Sequence, residues 1–165
     1  GEVQKVFQNL LHEGVPIRNT SIILETLGDH VGTTRDINML TEYVRTALGR
    51  WITNMYKGPD GEIVVATLDP WIEEQIAEFI EGLPDGKSSG LNPNFSQAVI
   101  NQVANITQRL AEDGHQPIIL TRFGVRFYLK RMIERVLPNV VVLSHNEISN
   151  DQKVRSVGMV SLGEN

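Results

Sequence analysis

Hydrophobic periodicity changes kind at Lys57-Gly58-Pro59-Asp60-Gly61. Ahead of that stretch apolar residues recur at helical spacing, and beyond it short β-branched runs alternate with helical ones. Two glycines, a proline and an aspartate within five residues also make it the best candidate boundary in the chain. The pattern predicts an α+β fold. Residues 1–58 read as an N-terminal helical subdomain, and residues 59–165 as a small α/β subdomain with a mixed sheet containing a parallel βαβ unit.

In the first part, Val3, Val6, Phe7, Leu10 and Leu11 fall at i, i+3, i+4, i+7 and i+8, which gives a helix one apolar face. Gly14 suits the end of that helix, and Pro16 prevents its continuation. Asn19 is the expected cap of a second helix, with Ile22, Ile23, Thr26 and Leu27 as its buried stripe. Val15-Pro16-Ile17-Arg18 is then a tight corner, with Ile17 filling the gap between the two helices. For Arg18 two uses stay open, a local acid or terminal carbonyl, or the carboxylate of a partner. A third helix is expected from a Thr34 cap to about Tyr56, turning Ile37, Leu40, Val44, Leu48, Trp51, Ile52 and Met55 inward.

Past the boundary, residues 62–68 read as a buried strand feeding a helix through Glu81. Residues 82–93 carry three glycines, two prolines and two serines, the composition of a mobile loop. A helix over 94–112, a strand over 117–121, a helix over 122–136 and a strand over 140–144 follow. Two apolar strands joined by one helix make the parallel, right-handed βαβ unit. Residues 154–162 read as a terminal strand.

Composition narrows the chemistry. A chain of 165 residues buries about 70% of its unfolded surface, enough for one good core or two small ones. With no cysteine there are no disulfides, thiolate nucleophiles or cysteine zinc sites. A net charge of −5 argues against general nucleic-acid binding, which needs excess Lys and Arg. Residues 1–58 are balanced at six basic and six acidic, while residues 59–165 hold nine basic against fourteen acidic. No apolar run reaches the roughly 20 residues that span a bilayer. Opening at Gly1 without methionine or signal peptide, the chain reads as an excised fragment.

No catalytic, cofactor-binding or metal-ligating residue emerges, and the chain is not read as an enzyme. His12-Glu13 has Pro16 where a second zinc histidine would fall. Ser144 and His145, adjacent at a strand end, point to opposite sides and cannot act as nucleophile and base. One alternative function is kept, a small-molecule or anion-binding site at the carboxyl edge of the strands, using Arg122 and Ser144. Arg122, Arg126, Lys130 and Arg131 crowd one expected helix, while Asp69, Glu73, Glu74, Glu78 and Glu81 crowd another. The first four are the candidate ring or partner contacts; such faces act on orientation and on-rate more than on affinity.

Four segments together carry a family resemblance. They are Leu10-Leu11-His12-Glu13-Gly14-Val15-Pro16-Ile17-Arg18-Asn19 with Ile23-Leu24-Glu25-Thr26-Leu27; Leu40-Thr41-Glu42-Tyr43-Val44-Arg45-Thr46-Ala47-Leu48-Gly49-Arg50-Trp51-Ile52; Ile118-Ile119-Leu120-Thr121 with Val125-Arg126-Phe127-Tyr128-Leu129; and Pro138-Asn139-Val140-Val141-Val142-Leu143-Ser144-His145-Asn146-Glu147-Ile148 with Val154-Arg155-Ser156-Val157-Gly158. In this order they resemble the C-terminal cytoplasmic region of the FlhA-type export gates (FHIPEP) of flagella and type III secretion. Residues 82–90 are the least family-like, His145 stands where flagellar members more often have an aromatic residue, and Asn19 where many have an acid.

The resemblance implies a bacterial inner-membrane protein-export gate, flagellar more than virulence-type, with membrane-spanning helices ahead of this stretch and this stretch on the cytoplasmic face. It implies self-association into a ring similar to a nonamer. It also implies docking of chaperone-bound export substrates and work beside a soluble ATPase complex, without ATPase activity in the gate itself. In the family much of the chaperone cleft lies in subdomains that would precede Gly1. The 165-residue chain alone is therefore expected to bind a loaded chaperone far more weakly than the whole cytoplasmic region does; titration of both against one loaded chaperone checks this, and equal affinities reject it.

Overall fold

A computed structural model describes residues 1–82 and 91–163. Helix α1 (Glu2–His12) ends where Gly14 adopts φ +75°, with the Gly14 N–H donating to the Leu11 carbonyl and the Val15 N–H to the Leu10 carbonyl. This turn fixes Glu13 at the helix end. Helix α2 (Thr20–His30) starts as expected after Asn19, but the Asn19 side chain makes no cap bond. Thr20 instead donates its hydroxyl to the Ile17 carbonyl, bracing the corner.

The expected third helix is two helices, α3 (Ile37–Ala47) and α4 (Gly49–Tyr56). Its cap is Asp36, whose carboxylate accepts from the Asn38 and Met39 N–H groups; Thr34 only accepts from the Asp36 N–H. The interruption at Leu48 has a cause distant in sequence. A Cβ on Gly49 would stand 2.8 Å from the Glu147 carbonyl oxygen, so the chain turns where a later segment presses on it.

Strands β1 (Ile63–Leu68), β2 (Ile118–Thr121), β3 (Val141–Ser144) and β4 (Val154–Val160) form one sheet in the order β3-β2-β1-β4. The α+β organisation holds, but the sheet is parallel in all three pairings rather than mixed. Residues 145–153 explain the difference. Instead of returning as a hairpin they cross the helical side, where Thr53 donates to the Glu147 carbonyl and Gln152 to the Gly61 carbonyl. They then join β1 at its outer edge, running in the same direction.

Helix α5 (Pro70–Glu81) is capped by Asp69, and α6 (Pro93–Glu112) by Asn92. Helix α7 (Arg126–Ile133) is shorter than the expected 122–136, because Gly124 at φ +91° keeps residues 123–125 in a turn. Of the loop expected over residues 82–93, residues 83–90 lie outside the described residues.

Both faces of the sheet are covered, as parallel sheets require. Ala66, Leu68, Ile119, Val142 and Val160 pack under α5, α6 and α7 through Ile72, Ile76, Val103, Leu110, Leu129 and Ile133. Ile63, Val65, Ile118, Leu120 and Leu143 pack instead against Val6, Leu10, Ile23, Leu27, Leu40, Val44 and Ile52 of the first four helices. Residues 57–61 are thus a turn at the edge of a shared core, with Gly61 at φ +84°.

Replacing Gly49 by Ala is expected to cost about 1–3 kcal/mol, since the obstacle is backbone and cannot swing aside. Gly28→Ala, in the exposed part of α2 with nothing within 4 Å of the added Cβ, is expected to be neutral or stabilising by up to about 1 kcal/mol. Denaturant unfolding of both variants checks the pair.

Candidate functional site

The turn at Gly124 starts α7 so that Arg126, Leu129, Lys130 and Ile133 share its inward face at i, i+3, i+4 and i+7. Arg126 is completely buried. All five of its N–H donors are used. Nε and Nη2 donate to the two Glu42 carboxylate oxygens at 2.8 and 2.9 Å, Nη1 and Nη2 to the two Glu13 oxygens at 2.8 and 2.9 Å, and Nη1 also to the Val142 carbonyl at 2.9 Å.

Beside it Arg45 grips Glu147 side-on, Nε to Oε2 and Nη2 to Oε1, both at 2.8 Å. Arg45 also lies 3.8 Å from Glu13, and Glu147 lies 3.5 Å from Arg126. Lys130 donates to the Val140 carbonyl at 2.7 Å and the Pro138 carbonyl at 3.3 Å. Three carboxylates and three cations balance in the interior, which is what makes their burial tolerable. The Val140 and Val142 carbonyls flank the first residue of edge strand β3, so Lys130 and Arg126 also close the start of that sheet edge against further pairing.

The charges shift one another. Burial would raise the Glu13 carboxyl, but the Arg126 hydrogen bonds and charge overcome it and bring it from 4.5 to about 2. For Arg126 and Arg45 burial works against the charged form, yet the surrounding carboxylates win and raise both. Lys130, whose partners are carbonyls, is lowered by its burial.

The expected basic surface is therefore corrected. Arg126 and Lys130 point inward and cannot meet a partner across an exposed face. Arg122 and Arg131 stay at the surface: Arg122 bonds Glu74 at 3.2 Å, and Arg131 lies over the Phe127 ring at 4.6 Å. Glu13, Glu42, Arg45 and Glu147 were not singled out by sequence reasoning. The signal available was the spacing of Arg126 and Lys130 with Leu129 and Ile133, which puts both cations on the apolar stripe and demands buried acids.

At the carboxyl edge of the strands the anion position is filled from within. Glu73 of α5 accepts from the Thr121 hydroxyl at 2.7 Å and from the Arg122 backbone N–H at 2.8 Å. Ser144 is buried, its hydroxyl without a hydrogen-bond partner among the described residues, while His145 faces solvent. The edge offers an incoming anion neither the Arg122 backbone N–H, which Glu73 holds, nor a serine–histidine pair. Among the described residues no three His, Cys, Asp or Glu side chains are grouped to hold a metal ion.

Comparison with known proteins bears on the whole chain. The profile of the FHIPEP family matches residues 1–153. The flagellar biosynthesis protein FlhA of Bacillus subtilis is 35% identical over 162 residues, covering 98% of this chain and 24% of that protein. The chain thus spans about a quarter of the length of that relative. The nonameric SctV-C of EPEC, solved by cryo-EM, superposes with a TM-score of 0.83 at 31% identity, over 96% of this chain and 48% of that one. CdsV of Chlamydia pneumoniae in its complex with CdsO gives a TM-score of 0.78 at 28% identity, over 97% and 47%.

Arg126→Met strands Glu13 and Glu42 against each other in the interior and is expected to cost about 3–5 kcal/mol in denaturant unfolding. The depressed Glu13 contributes stability that is fully present above pH 4.5 and lost as pH falls toward about 2. Glu13→Gln should accordingly lower stability at neutral pH and flatten the acid limb of the stability curve within that window; an unchanged acid limb would refute the assignment.

Proposed function

The chain belongs to the FHIPEP family, and from that premise we propose that it is the C-terminal part of the cytoplasmic region of an inner-membrane protein-export gate, flagellar rather than virulence-type. The observation that carries this reading is the 35% identity to a flagellar FlhA maintained across 162 residues, higher than the identity to the secretion-system structures of the same fold. Among the described residues no helix is long and apolar enough to cross a membrane.

We read its work as presenting surfaces rather than performing chemistry. The strand edge where an α/β protein most often binds a ligand is occupied by Glu73, which supports that reading. Assembly into a ring is supported by the nonameric relative SctV-C, and contact with a second protein by the CdsV–CdsO complex. Chaperone-bound substrates and ATPase-complex components are the partners proposed. Arg122 and Arg131 are the basic residues of the original group still placed to meet them, while Arg126 and Lys130 hold the interior. Opposite them in sign, Glu78 and Glu81 stand exposed on α5.

Two measurements test this. Truncating the parent gene just before Gly1 should abolish secretion of flagellar subunits while the shortened product still reaches the membrane at normal level; undiminished secretion rejects the proposal. Reversing Arg122 and Arg131 together to Glu should reduce secretion severalfold at unchanged protein level, and full secretion would remove them as contacts.

A further inference from the structure

The corner between α1 and α2 faces a cavity of about 400 Å³ against α4. Val15, Leu48 and Ile52 make its buried floor. Trp51 and Met55 line it while remaining 38% and 37% exposed, and Arg18 stands among them. A tryptophan, a methionine and an arginine around an apolar floor is the composition of an interface anchor site rather than of open surface. Arg18 has no carboxylate partner among the described residues. The occupant this groove fits presents an apolar row flanked by acids.

The same chain carries that row elsewhere. On the outer side of α2, Leu24, Gly28 and Val31 follow one another at i, i+4 and i+7, with Leu24 47% and Val31 41% exposed. Glu25 and Asp29 run beside them at i and i+4, exposed and without a cationic partner among the described residues. A Cβ on Gly28 would meet nothing within 4 Å, so another backbone can approach closely there. The row cannot reach its own groove, because Ile23 and Leu27 hold the opposite side of α2 in the core.

We propose that the groove at Val15, Trp51 and Met55 receives the row Leu24, Gly28 and Val31, along and just past α2, from a second copy of this chain, with Arg18 meeting the acids Glu25 and Asp29 beside that row. The two surfaces differ, so the contact is head-to-tail, and its repetition builds a ring when the rotation closes. This rests on the ring reading given above and names the contact that makes the ring.

Cross-linking and charge exchange in the whole parent polypeptide, in isolated membranes, test it. This chain holds no native cysteine, so Leu24→Cys and Met55→Cys can be introduced singly and together and treated with a short bismaleimide. The double variant should give a ladder of covalent oligomers, and the single variants none above the background of the unmodified polypeptide. Arg18→Glu and Glu25→Arg should each weaken self-association by about tenfold or more, and the two combined should restore it. All four positions are exposed, and thermal melting confirms that the variants fold. No ladder and no rescue, in a polypeptide that still sediments as a ring, overturns this contact and leaves the ring reading standing. Cross-linking of Met55→Cys only to a different protein overturns it equally. Absence of a ring in the unmodified polypeptide fails the ring reading itself, and this contact with it.

Discussion

Arg126 is the constraint on which the rest of the molecule depends. Apolar packing between two helix layers and a sheet is non-directional, so it holds the layers together without fixing how one is turned on the other. The guanidinium fork supplies direction. From the first residue of α7 it takes one carboxylate at the end of α1, another on α3, and a carbonyl of β3. Its five bonds leave no donor free, and a rotation of either layer would break several at once in a medium where water cannot replace them. Arg45 and Glu147 repeat the arrangement between α3 and the segment after β3. The same segment presses on Gly49 and interrupts the helix there, so the break between α3 and α4 and the ionic cluster have one origin.

How much of this was legible in the sequence follows from the range of each cause. Local causes were readable: the helix end at Gly14, the corner at Pro16, the apolar stripes of the first helices, and β2–α7–β3 as a parallel unit. So was membership of the family, which rests on motifs contiguous in sequence. What failed depended on residues far apart. The break at Leu48 needs the Glu147 backbone, and the parallel fourth strand needs a crossing held by Thr53 and Gln152. Counting charges along α7 put Arg126 and Lys130 in solvent; their spacing with Leu129 and Ile133 contained the opposite answer. The acids that decide between the two lie 84 and 113 positions away, beyond any window a periodicity argument uses.

The strand edge and the corner show two ways of disposing of charge. At Arg122 the cation and the free backbone N–H are met by Glu73 and Glu74 of the neighbouring helix, and the place where an α/β protein would bind an anion is closed by its own chain. At the corner the opposite holds, with Arg18 lacking a carboxylate partner among the described residues beside exposed Trp51 and Met55. A fold that neutralises cations at one end, down to a full set of five hydrogen bonds on Arg126, does not leave others beside an apolar groove for want of acids. The chain has twenty acidic residues against fifteen basic ones. Among the described residues it is the helical layer, at Arg18, that keeps an arginine without a carboxylate partner beside an apolar groove, which fits the contact proposed there.

The corner groove belongs to the helical layer, and the surface with Arg122 and Arg131 belongs to the opposite one. Between them lies the ionic cluster, whose disruption at Arg126 alone is worth about 3–5 kcal/mol. Binding at one surface therefore displaces the other as part of the same rigid body unless its energy exceeds that threshold. A partner of ordinary micromolar affinity has roughly 8 kcal/mol in total and would forfeit about half of it to open the cluster. A displacement that keeps the two layers of this chain together therefore costs less than one that turns either layer on the other and opens the cluster.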